Sequence, residues 1–201
     1  RSVMLMLLVL AVGSIQAQET LVYSDDQLPY KEGLGFVQQR NYVTARRMFR
    51  QYRDNQPQFQ HNNNRTLESN AAYYIALSAL ETGQPDAERL LLDYVNNKYE
   101  TPLKHVAYYA LGRYYFRERD YRDALSWFNK VDRNDLNRDQ LAEYKFMKGY
   151  CHFFKKEFND AYMLFSDVKD IQNKYYYPAN YYYGYISYER GKLKQALNSF
   201  E

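Results

Sequence analysis

Along most of its length the chain alternates stretches of helically spaced apolar residues with short polar breaks. Apolar residues recur three and four apart in "YYALGRYYFRERDYRDALSWF", beginning at Tyr108, and in "FMKGYCHFFKKEFNDAYMLF", beginning at Phe146. That spacing lines one face of a helix. Polar clusters at Arg117 to Asp120, Lys155 to Glu157 and Arg190 to Lys192 interrupt each stretch, so each reads as helix, turn, helix. Two segments depart from the pattern. Met4 to Val12 is an unbroken apolar run near the start, and residues 58–68, opening on the asparagine-rich "QFQHNNNRT", read as a polar surface loop.

The stretches repeat one another. Gly112 and Gly149, Tyr121 and Phe158, Ala124 and Ala161, and Phe128 and Phe165 each lie 37 residues apart, and Gly184, Leu193, Ala196 and Phe200 follow 35 residues later. Gly33, Tyr42, Ala45 and Phe49 keep the same internal spacing nearer the start, with Pro57 eight residues on. A degenerate copy between them carries Ala76, Ala87 and Leu91 and is read with a turn one residue shorter. The units run over 26–57, 69–104, 105–141, 142–176 and 177–201, with a linker at 18–25. In each, a small residue such as Gly112 is expected to meet a small one such as Ala124, while Tyr115, Tyr121 and Phe128 fill around them. A single hairpin cannot bury its whole apolar face, so stacking of neighbours is required. The chain stops within the second helix of the fifth unit, where a polar-faced capping helix is expected.

This pattern of Leu111-Gly112, Tyr115, Ala124 and Phe128, with Tyr108 at the place of a frequent tryptophan, resembles the tetratricopeptide repeat (TPR) family. His152, Ser187 and the glycine-free second unit depart from it. The resemblance implies an all-α, right-handed α-solenoid of about five hairpins, with partners bound in a concave groove lined by the first helix of each unit. Three places before the glycine position the family faces that groove, here with Tyr30, Tyr73, Tyr109, Phe146 and Tyr181. One place after it stand Leu34, Leu77, Arg113, Tyr150 and Tyr185. Tyrosines suit a protein interface, and Arg113 suits a carboxylate. The bland alternative is that these rings pack between hairpins.

The beginning of the chain reads as an export signal. Arg1 is basic, the apolar run of nine follows, and Ser14 to Ala17 supply small residues for cleavage after Ala17. The run is shorter than the about 20 apolar residues of a membrane-spanning helix, so the mature chain is expected to lack a span. No cysteine stands just after the cut, where Gln18, Glu19 and Thr20 follow, so no lipoprotein anchor is expected. The expected location is the periplasm of a Gram-negative envelope, where a formal net charge of +3 and dispersed basic residues disfavour nucleic acid. Export also argues against RNA-reading helical repeats. The sequon Asn64-Arg65-Thr66 would ordinarily go unused in a bacterium.

Little here suggests catalysis. One cysteine excludes an internal disulfide framework, and three histidines with it leave no spaced zinc cluster. Cys151 and His152 are adjacent, so on a helix they diverge by about 100°. His152 is expected to be partly buried and structural. Phosphate loops, serine elbows and metal-binding motifs are missing from the sequence, so the expectation is no catalytic residue, cofactor or metal. The chain reads as an envelope scaffold for protein or peptide partners. A glycan-binding module and a tether for a further C-terminal domain are the alternatives.

Overall fold

The computed structural model describes residues 27–56, 65–97 and 103–201. They form ten α-helices and one short 3₁₀ turn at Arg133–Asp135. The helices are α1 (Leu28–Gln38), α2 (Tyr42–Asp54), α3 (Arg65–Glu81), α4 (Ala87–Val95), α5 (Lys104–Arg117), α6 (Tyr121–Phe128), α7 (Arg138–Phe154), α8 (Phe158–Ser166), α9 (Tyr176–Glu189) and α10 (Leu193–Phe200). Each packs chiefly on the helix before and the helix after it, while α5 also touches α3 and α7. The odd-numbered helices therefore share one side of the array. The proposed leader, the linker and Asn64 lie outside the described residues. The predicted loop at 58–68 ends early, because α3 is already helical at Arg65, with Glu68 in the first turn where the helix dipole favours an acid.

Local sequence explains the hairpins. Asn41 caps α2 by accepting from Thr44 N–H at 3.2 Å, and Asp120 caps α6 from Asp123 N–H at 3.1 Å. Asn137 and Gln140 form a reciprocal capping box on α7, both bonds 3.0 Å. All five hairpin turns place a left-handed residue seven positions after the glycine or alanine of the repeat: Arg40, Gly83, Arg119, Lys156 and Gly191, with φ from 58° to 69°. There the chain reverses through paired backbone bonds, such as Asp120 N–H to Tyr115 O at 2.9 Å and Arg119 N–H to Phe116 O at 3.1 Å, which close the helix end. The second turn is one residue shorter, as its spacing predicts: the buried Ala87 and Leu91 follow Gly83 by four and eight residues, where Ala124 and Phe128 follow Arg119 by five and nine. Its left-handed Gly83 keeps the common place, and α4 starts late, at Ala87, after Pro85.

In four of the five hairpins the glycine of the first helix lies against a ring of the second. A Cβ built on Gly112 would lie 2.4 Å from the Phe128 ring, one on Gly33 2.8 Å from Phe49, and one on Gly184 2.8 Å from Phe200. Gly149 makes the same approach to Phe165 at 3.2 Å. Phe49, Phe128 and Phe165 are wholly buried, and burial of such a side chain contributes about 1.5–3 kcal/mol.

Each of these three rings also touches a tyrosine of the next hairpin. Phe49 stacks on Tyr74 at 4.9 Å, Phe165 stacks on Tyr182 at 5.3 Å, and Phe128 meets Tyr144 edge-on at 5.6 Å. Tyr144 adds a hydrogen bond from its hydroxyl to Phe128 O, 3.2 Å long. The core is thus passed from hairpin to hairpin. Tyr74 and Leu90 pack against both its first and second parts, and Tyr115 against the second and third.

One substitution should therefore have opposite signs at two glycines. Gly112→Ala drives a methyl into Phe128 and should destabilise by about 1–3 kcal/mol. Gly35→Ala, in the middle of α1 with open space around it, should stabilise by about 0.5–1 kcal/mol. Urea unfolding followed by circular dichroism would show both shifts; equal signs would contradict the assignment of the Gly112 contact.

Candidate functional site

The rings expected to line a groove divide into two groups. Tyr30, Tyr73, Tyr109 and Phe146 are buried, covered by the chain itself. Tyr30 lies edge-on to Phe49 and Tyr52 at 5.5 and 5.3 Å, Tyr73 tilts against Tyr94 at 5.6 Å, and Phe146 stacks on Tyr175 at 4.8 Å. Tyr109 lies beneath the Arg113 guanidinium, 5.6 Å from the ring centre. At this register the first helix turns toward its own second helix and the next hairpin, so these four are packing residues. Tyr181 and Tyr185 on α9 remain open, 56% and 39% exposed. Tyr150 is half-buried, edge-on to Phe116, Tyr121 and Tyr182 at 5.2–5.5 Å, and Leu34 and Leu77 are also half-buried.

Arg113 stands at the centre of an ion ladder along the odd-numbered helices. Its Nη1 donates to Glu81 Oε1 on α3 at 2.5 Å and its Nε to Glu143 Oε1 on α7 at 2.9 Å. Arg117, one turn further along α5, reaches Glu81 Oε2 at 3.4 Å and donates to Leu80 O at 2.8 Å. Lys174, in the segment before α9, meets Glu143 Oε2 at 3.2 Å. Five charges thus alternate in sign across successive hairpins, with cations at both ends. Glu81, Arg117, Glu143 and Lys174 escaped the sequence reading. Arg113 and Arg117, like Leu77 and Glu81, are four apart on one helical stripe, so extending each stripe by one turn would have found two of them.

Electrostatics follow from that geometry. Burial pushes the Glu143 carboxyl up, but Arg113 and Lys174 outweigh it and hold the group below its ordinary 4.5. Burial likewise works against the Arg113 charge, yet the hydrogen bond to Glu81 and the surrounding negative groups raise its pKa overall. Tyr109 is raised by burial and by Glu143, so its hydroxyl stays neutral.

A second polar group lies at the α7–α8 turn. His152 Nδ1 and Glu157 Oε2 are 2.7 Å apart, and His152, Glu157 and Asp160 bring ligand atoms within 4.8 Å of one another, close enough to share a metal ion. Lys155 occupies the other oxygen of Glu157 at 2.7 Å, so the carboxylate is already neutralised. Cys151 beside it is wholly buried, and burial pushes its thiol up to about 12. It is therefore a protonated core residue at neutral pH.

No protein-family profile matches the chain, and no curated protein matches it. Solved structures do. A structure titled MamA MSR-1 is 18% identical with a TM-score of 0.61, over 87% of this chain and 92% of that one. MamA from Desulfovibrio magneticus RS-1 is 13% identical with a TM-score of 0.61, over 88% and 92%. A single-site MamA mutant is 15% identical with a TM-score of 0.64, over 87% and 93%. MamA is a TPR-repeat protein, so the described helices have a TPR-like fold. No helix among the described residues is long and apolar enough to cross a membrane.

The ladder predicts a pH-dependent stability. Because the folded-state pKa of Glu143 is depressed, its contribution is present above the ordinary carboxyl value and lost as pH falls through the folded value. Glu143→Gln should cost about 1–3 kcal/mol at pH 7, and the gap from the parent chain should narrow towards pH 3. A gap that is constant with pH in urea titrations would remove the ladder from the stability of the array.

Proposed function

We propose that the chain is a protein-interaction scaffold of the bacterial envelope, which binds a peptide or protein segment on the side formed by α1, α3, α5, α7 and α9. On this reading the hairpins coil into a right-handed α-solenoid and that side is its concave groove. The observation that carries the proposal is the Glu81–Arg113–Glu143 ladder, which fixes neighbouring first helices to one another while leaving Arg117 and Lys174 exposed at its two ends. A surface held rigid before binding loses little entropy when a partner docks. Exposed tyrosines extend the same side along α9 at Tyr181, Tyr185 and Tyr188, and tyrosine carries apolar area and a hydrogen-bonding tip together. The MamA likeness supports a scaffold role. Export rests on the leader-like residues 1–17, and the binding role is not an enzymatic one.

The open rings of α9 also favour a glycan-binding reading, since a tyrosine face can stack on a sugar. One experiment separates the two. With p-benzoylphenylalanine in place of Tyr185, irradiation in envelope extract should produce a defined protein adduct that is missing when the photoreactive residue replaces Met163 on α8 instead. Adducts identical from both positions, or an adduct only with carbohydrate, would overturn the scaffold reading.

A further inference from the structure

The α2 helix carries Arg46, Arg47, Arg50 and Arg53 within eight residues, against Asp54 as its one acid. This is a local basic block inside a chain whose charges are otherwise dispersed. Three of these arginines line a cleft of about 560 Å³ between α2 and the α3–α4 turn. The cleft lies at the C-terminal end of α3, where its lining residue Thr82 follows the ladder residue Glu81 in the chain.

The cationic side of the cleft is under-neutralised. Arg46, with its side chain 13% exposed, donates through Nη2 to Asp86 Oδ2. Arg50, 54% exposed, stands 3.9 Å from that same oxygen. One carboxylate oxygen therefore serves two guanidinium groups. Arg47 is exposed and has no ion pair among the described residues. Asp54 is the carboxylate in the lining and Asp86 pairs with Arg46 and Arg50 beside it, so three guanidinium groups share two acids. Around them Gln51, Asn55 and Gln84 offer amides, which can donate and accept at a peptide backbone.

From this arrangement we infer that the α2 cleft is a second binding site, for an acidic peptide segment. Arg47 and Arg50 each present a planar fork that matches a carboxylate with two parallel bonds, and the recessed Arg46–Asp86 pair fixes the floor beneath them. The lining amides order the segment between those contacts. A bilayer surface fits less well, because headgroup phosphates only accept, whereas a peptide backbone also supplies N–H donors to the amide oxygens of Gln51, Asn55 and Gln84. None of the ladder residues lines the cleft, so its occupancy can be tested apart from that of the proposed groove.

Fluorescence anisotropy with a labelled decaglutamate peptide tests this directly, using decaglutamine as the neutral probe. The purified chain should bind decaglutamate and not decaglutamine, and affinity should fall as salt rises, since exposed charges are screened within about 10 Å at 0.1 M. Arg47→Gln with Arg50→Gln should weaken binding about tenfold or more while leaving the circular dichroism melt unchanged. Tyr185→Ala should leave it intact, which keeps this result separate from the fate of the groove reading. Failure to bind decaglutamate, binding that survives the double substitution, or sedimentation with phosphatidylglycerol vesicles in place of peptide binding would each overturn the proposal.

Discussion

A phenylalanine ring seated on the backbone of a glycine sixteen residues earlier sets the geometry of four of the five hairpins. Only a residue without a Cβ leaves room for the ring at that distance, as the 2.4 Å approach of a built Gly112 Cβ to Phe128 shows. The contact fixes how closely the two helices of a hairpin lie. The other side of the ring is then presented to the next hairpin, where Tyr74, Tyr144 and Tyr182 meet Phe49, Phe128 and Phe165. Intra-hairpin spacing and inter-hairpin stacking are thus two uses of one side chain, and the core grows by repetition rather than around a single centre.

This economy decides what is left for binding. Rings at the place of Tyr30, Tyr73, Tyr109 and Phe146 are taken up by packing, so the shared side of the odd-numbered helices is marked instead by charge. Arg113 is held from two directions by Glu81 and Glu143. A partly buried arginine with a single acid would leave donors unmet; with two it becomes a fixed strut between α3, α5 and α7. Exposed groups that could contact a partner flank that strut at Arg117 and Lys174 and continue into the open tyrosines of α9.

Much of the fold was legible because it is local and repeated. Hairpins follow from apolar spacing and polar breaks, and the glycine-to-phenylalanine interval recurs without a gap. The candidate site was legible only in part. Counting from the glycine located the rings on the first helices, but a ring's exposure depends on the hairpin stacked against it, which spacing does not reveal; hence Tyr181 stays open while Tyr109 is covered. Arg113 was found and its partners were not, since Glu81 and Glu143 lie 32 and 30 residues away. The left-handed turn position was hidden because three of its five residues are arginine or lysine rather than glycine. The arginine block on α2 was in plain sight but was averaged away by the near-neutral total.

The most direct test of the glycine–phenylalanine contact is a double-mutant cycle of Gly112→Ala with Phe128→Leu, read by urea unfolding. If the ring occupies the space over Gly112, shrinking it should relieve the alanine, and the two changes should show a coupling of about 1 kcal/mol or more. Additive losses would mean that the alanine acts elsewhere in α5, and the interlocking of hairpins would need another source.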